Sequence, residues 1–247
     1  MHWSGLIILL PLAACNGDDG ERRAAVDNRP AIAASGSGAE RSFAATGFDR
    51  VELAGVDDVE ITTGGEFSVR ASGDPKILDQ LKIMLEDGQL VVTRKRDGSF
   101  RWNSEDGAAR IAISMPVLRA GSIAGSGDMT VDRVANDFAG AIAGSGDMTI
   151  GMIRGDKARL SIAGSGSIAA SGEVRSLTVE LAGSGDVQAR ALKASSADVS
   201  IAGSGNVAAA VVGDAKVALL GSGDVDLGPA ARCSVSKIGS GEARCGS

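Results

Sequence analysis

Through the second half of the chain, apolar residues alternate with small or polar ones in a frame that restarts at a glycine turn. Gly-Ser-Gly occurs at 125–127, 144–146, 164–166, 183–185, 203–205, 221–223 and 239–241, at intervals of 18 to 20 residues. Aligned on the first glycine, the second position before it holds Ile123, Ile142, Ile162, Leu181, Ile201 and Leu219. The fourth position after it holds Met129, Met148, Ile168, Val187, Val207 and Val225. A period of two on both sides of a turn predicts strands with one buried face, hence an all-β fold. Copies of this length suit either successive hairpins or the coils of a parallel β-solenoid. The near-verbatim turn favours the solenoid, in which each position stacks on its equivalent about 4.8 Å away. Glycine suits such a corner because it takes φ > 0 and leaves room for the next turn.

A degenerate copy lies earlier, with Val51, Leu53, Val59 and Ile61 in the same frame around Ala54-Gly55. Different material separates it from Gly125. Residues 82–92 read as a hairpin around Asp87-Gly88. Asp74-Pro75 reads as the N-cap and first residue of a short helix. Residues 97–109 read as a loop, and 110–115 as a strand stopped by Pro116. This insert is expected to cap the N-terminal end of the solenoid, where strand edges would otherwise stay unpaired.

The N-terminus reads as an address. Residues 5–14 (GLIILLPLAA) are too few to span a bilayer, which takes about 20, and suit the apolar part of a secretory signal. Leu12-Ala13-Ala14-Cys15 resembles the bacterial lipobox, which implies lipidation of Cys15 and its exposure as the first mature residue. The alternative is a cleaved signal with an incidental Cys15. Asn16 follows where an Asp would favour inner-membrane retention, so the outer membrane is expected over the inner. Residues 16–41 lack periodicity and read as a flexible tether. The expected organisation is a signal at 1–14, lipidated Cys15 with its tether to 41, and a β-helical head over 42–247. Within the head, 42–116 holds the first coil and the insert, and 117–247 the Gly-Ser-Gly coils.

Composition narrows the chemistry. The only histidine of the 247 residues is His2, inside the signal segment, so a mature head has no imidazole for a catalytic triad or a His-zinc site. The net charge of −6 and 3% aromatic content argue against a nucleic-acid partner. The residue after each turn is Asp128, Asp147, Ser167, Asp186, Asn206, Asp224 or Glu242. Stacked in a solenoid, these acids are a weak calcium candidate. The preferred reading is structural, since Asp and Asn bond nearby backbone N–H groups at turns and stacked carboxylates repel. No metal or cofactor is expected. Cys233 and Cys245, six positions before and after Gly239, both fall in inward slots and are expected to form a disulfide in an exported protein; two free thiols are the alternative. Lys237 stands in an otherwise apolar slot of the same coil, as a capping rung would allow. Trp102 beside Arg101 either anchors a sugar or partner or covers the end of the solenoid. The outward strand positions are mostly Ser, Ala and Thr with scattered charges, which disfavours catalysis.

The chain resembles the bacterial "putative auto-transporter adhesin, head GIN domain" family. The resemblance rests on Phe48-Asp49-Arg50-Val51-Glu52-Leu53 running to Val59-Glu60-Ile61-Thr62, on Leu85-Glu86-Asp87-Gly88-Gln89-Leu90, and on Met115-Pro116 leading into repeated Gly-Ser-Gly-Asp. It covers about 42–247 and implies a right-handed parallel β-helix and a cell-envelope location, with no catalytic residues. The expected function is non-enzymatic, adhesin-like binding of a glycan or a protein surface by a membrane-anchored head. A periplasmic structural or envelope-stress module is the alternative, and a carbohydrate-active β-helix enzyme a remoter one. Self-association through solenoid ends is also open.

Overall fold

A computed structural model describes residues 30–95 and 107–246, and residues 31–247 form one compact unit. The periodic segments stack as a β-solenoid of about seven turns. Pairing between successive coils is parallel, with equivalent residues directly opposed. Ile123, Ile142, Ile162, Leu181, Ile201 and Leu219 form one internal file. Val59, Met129, Met148, Ile168, Val187, Val207 and Val225 form another. All of these residues are buried. The core is narrow and tolerates only complementary volumes. Gly121 and Gly140 face the thioethers of Met129 and Met148, where a Cβ would lie 2.9 Å and 3.1 Å from sulfur. In the next coil Leu160 takes the glycine's place and the shorter, branched Ile168 the methionine's.

The corners explain the repeated turn. The first glycine of every triplet has φ between 126° and 146°. A Cβ there would lie 2.0–2.2 Å from a carbonyl oxygen of the coil below. At Gly55, Gly125, Gly144 and Gly164 that carbonyl accepts two hydrogen bonds. Gly144 O, for example, receives Ser165 N at 2.9 Å and Gly166 N at 3.3 Å. The second glycine is equally confined, since a Cβ on it would lie 1.9–2.2 Å from the oxygen beneath.

The early copy is a coil of the same stack. Arg50–Leu53 pairs with Ala120–Gly125, and Asp58–Thr63 with Met129–Val131. The helix Pro75–Leu78 forms as expected, with the Asp74 carboxylate accepting from Lys76 N at 2.8 Å. The hairpin also forms, from Leu81–Glu86 and Gln89–Arg94, with positive φ at Asp87 and Gly88. Two features differ from the sequence reading. The insert is more than a cap: Gln89–Arg94 and Arg110–Met115 run parallel beside the first coil and supply one more rung. Antiparallel strands Leu81–Glu86 and Ser68–Ser72 then pair onto that rung and end the stack.

Residues 32–41, expected to belong to the tether, are bonded into the head. Ala34–Ser35 pairs with Glu40–Phe43, which pairs in turn with Ser68–Ser72. Ile32 N donates to Ile83 O at 2.8 Å, and Arg41 meets Asp79 at 2.6 Å. Gly, Ser and Ala look like linker, yet strand pairing uses the backbone, and the capping sheet recruits it. The head therefore begins near residue 31. Among the described residues, no helix is long and apolar enough to cross a membrane.

Candidate binding surface

Alternation along each strand carries small side chains outward, and stacking aligns them. Ser122, Ala141, Ser161, Glu180 and Ser200 form one outward file. Beside it run Ala124, Ala143, Ala163, Ala182 and Ala202. Together they floor a trough of about 680 Å³, with an alanine methyl at each rung and hydroxyls at Ser122, Ser161 and Ser200. Glu52 closes one end, held by Gln89 Nε2, and Glu180 is paired with Arg159 at 2.5 Å. Toward the C-terminal end the alanine file changes to Leu220 and Ile238, 56% and 72% exposed. A second depression, of about 730 Å³, lies where Asp198, Lys216, Asp214 and Arg232 flank the last coils.

Charges on the coils are matched between rungs. Arg175 pairs with Asp156 at 2.7 Å, Arg232 with Asp214 at 2.9 Å, and Arg190 with Asp226 at 2.8 Å. The Arg190 hydrogen bond, with a further one from the Gly228 N–H, holds the Asp226 carboxyl below its ordinary 3.8. Because the folded value is the lower one, the pair stabilises the head fully above about pH 4 and loses that contribution as pH falls through the folded value. Asp226→Asn is therefore expected to reduce stability at pH 7 and to flatten the acid limb. Urea midpoints measured from pH 7 down to pH 3 check this.

The acids after the turns are bound to the next coil. Asp128 accepts from Asp147 N at 2.9 Å, Asp147 from Ser167 N at 2.8 Å, and Asp186 from Asn206 N at 2.9 Å. Asn206 and Asp224 repeat the contact to Asp224 N and Glu242 N. The ladder thus fastens one coil to the next through side-chain oxygen. No group of three or more His, Cys, Asp or Glu side chains that could hold a metal occurs among the described residues. Cys233 and Cys245 form a disulfide across 12 residues, packed against the core and half-buried. Cys15, Arg101 and Trp102 lie outside the described residues.

Sequence reasoning missed one buried constellation. Asp57, the corner residue just before the strand Asp58–Thr63, is buried against Arg94. Arg94 Nε and Nη2 donate to the two Asp57 oxygens at 2.9 Å and 2.5 Å. Ala109 N adds 2.8 Å to Asp57, and Arg94 also donates to Gly107 O at 3.1 Å. The available signal was an Asp in the slot that every later copy gives to the second glycine.

The "Putative auto-transporter adhesin, head GIN domain" family model matches residues 47–228. The chain belongs to this family. The family's shape is also seen in solved structures. A Bacteroides fragilis protein described as a "putative adhesin" superimposes with a TM-score of 0.75 at 20% identity, covering 85% of this chain and 98% of its own. A Parabacteroides distasonis "putative lipid binding protein" gives 0.67 at 23%, covering 86% and 98%. A "putative adhesin" from the same species gives 0.59 at 18%, covering 85% and 98%. At these identities the likeness is one of fold. The head GIN family and these neighbours are described as adhesins or as lipid-binding, not as enzymes. No curated protein matches the chain.

Proposed function

We propose that this protein is a non-enzymatic envelope module, anchored through Cys15, whose head binds an extended ligand along the Ser/Ala trough. The observation that carries the reading is the in-register repetition of small outward side chains over five coils. Such a floor is periodic and built mostly of small uncharged side chains, with Glu52 and the Arg159-paired Glu180 as its acids. It suits a ligand that is itself repetitive, such as a glycan chain, and the Ser122, Ser161 and Ser200 hydroxyls offer it hydrogen bonds along the floor. The adhesin-like family supports binding over catalysis. The lipobox-like Leu12-Ala13-Ala14-Cys15 supports lipid anchoring, and Asn16 favours the outer membrane.

The test is protease shaving of intact cells, with a cleavage site engineered into 16–29 and a periplasmic protein as control. Release of the head from intact cells is the expected result. Protection until the outer membrane is breached would overturn surface display and leave a periplasmic structural module. Fatty-acid labelling that survives Cys15→Ser would overturn the anchor. Ala163→Trp, placed in the trough floor, is expected to abolish glycan binding on an array while leaving the far-UV spectrum unchanged.

A further inference from the structure

The two ends of the solenoid are unlike. Antiparallel strands cover the N-terminal end. At the other end, Ala231–Ile238 pairs on one side only, with Gly213–Gly221. No strand lies on its outer side among the described residues. Gly246 N donates to the Ala231 carbonyl at 3.0 Å, and the seven residues beyond it make a long free edge, a template for another chain. Val235 shows the exposure directly: it is 47% exposed, whereas Val217, its partner one coil below, is 2% exposed.

One residue in this rung breaks the internal pattern. Lys237 is in register with Leu219 and so ends the file that runs Ile123, Ile142, Ile162, Leu181, Ile201. Its Nζ donates to Gly241 O at 3.0 Å. That carbonyl has a defined place in the stack. In each lower coil its equivalent points at the second glycine of the coil above: Gly205 O at Gly223, and Gly223 O at Gly241, each within 2.1 Å of where a Cβ would be. The Lys237 ammonium thus sits on the site where the corner of a further coil would dock. The Cys233–Cys245 disulfide closes the loop that carries Gly241.

We infer that Lys237 is an edge guard that keeps a second copy of this chain from pairing with the open rung. A second copy is the occupant excluded, because its own last rung presents the same free backbone. Pairing would bury two ammonium groups on the internal file with no acid opposite, and stripping their water is costly. An isologous contact between two such last rungs uses the same edge on both copies and so closes at two.

The experiment is sedimentation velocity on the full head with its disulfide intact. Wild type and Lys237→Arg are expected to be monomers. Lys237→Val is expected to double in mass and to protect amides 231–238 against hydrogen exchange. Lys237→Met, which keeps the stem and removes the ammonium, serves where the Val variant fails to fold. A wild-type dimer, a monomeric folded Val or Met variant, a dimer without protection at 231–238, or growth beyond two copies would each overturn the inference.

Discussion

Gly164→Ala is expected to destabilise the head by about 3 kcal/mol or more, whereas Ser165→Ala beside it stays within about 0.5 kcal/mol. Two costs add at Gly164. Its φ of 137° lies where L side chains are strained. A methyl group would also stand 2.1 Å from Gly144 O, a backbone atom with no freedom to retreat. Relief would require the coils to part, and that would break the bonds from Ser165 N and Gly166 N to the same oxygen. Ser165 is exposed at the tip of the corner, so its substitution disturbs none of this. Guanidinium unfolding of the three proteins separates the cases. Similar midpoints for Gly164→Ala and wild type would show that close approach of the corners is not what fixes the glycine. Because coils contact only their neighbours, loss of the two-state transition in the Gly164 variant is a further expected sign.

Asp57→Ala is expected to cost about 3–5 kcal/mol, because it leaves the buried Arg94 guanidinium without its counter-charge. The variant also removes the acceptor for Ala109 N, at the start of the strand that completes the lowest parallel rung. Replacing both partners with apolar residues, as in Asp57→Leu with Arg94→Met, should recover much of that loss, since the uncompensated charge is gone. Thermal unfolding of the two single variants and the double variant gives the coupling. Strict additivity of the two single losses would refute the pair as a unit.

Legibility followed the repeat. Wherever sequence register maps one-to-one onto rungs, the inward files, the corners and the outward Ser and Ala files were readable, including the early coil at Val51 and Ile61. The rung built from Gln89–Arg94 and Arg110–Met115 escaped notice because residues 95–109 interrupt it and destroy the spacing. The pairing of Ala34–Ser35 escaped because backbone hydrogen bonds leave no trace in side-chain pattern. Asp57 and Arg94 are 37 residues apart with no periodicity to join them. Lys237 was conspicuous as a charge in an apolar slot, but the meaning of that charge depends on where the Gly241 carbonyl points.

The stack of equivalent corners also makes the length of this protein countable in whole units. Removing 167–185 would join Gly166 to Asp186 and leave every remaining face as it was, whereas removing one residue would turn a strand inside out. The corner is spelled almost alike from unit to unit while the strands between corners vary, so a unit is defined by its register and is added or deleted whole. The reach of the head is thus open to change by inheritance in steps of about 4.8 Å, with neither end rebuilt.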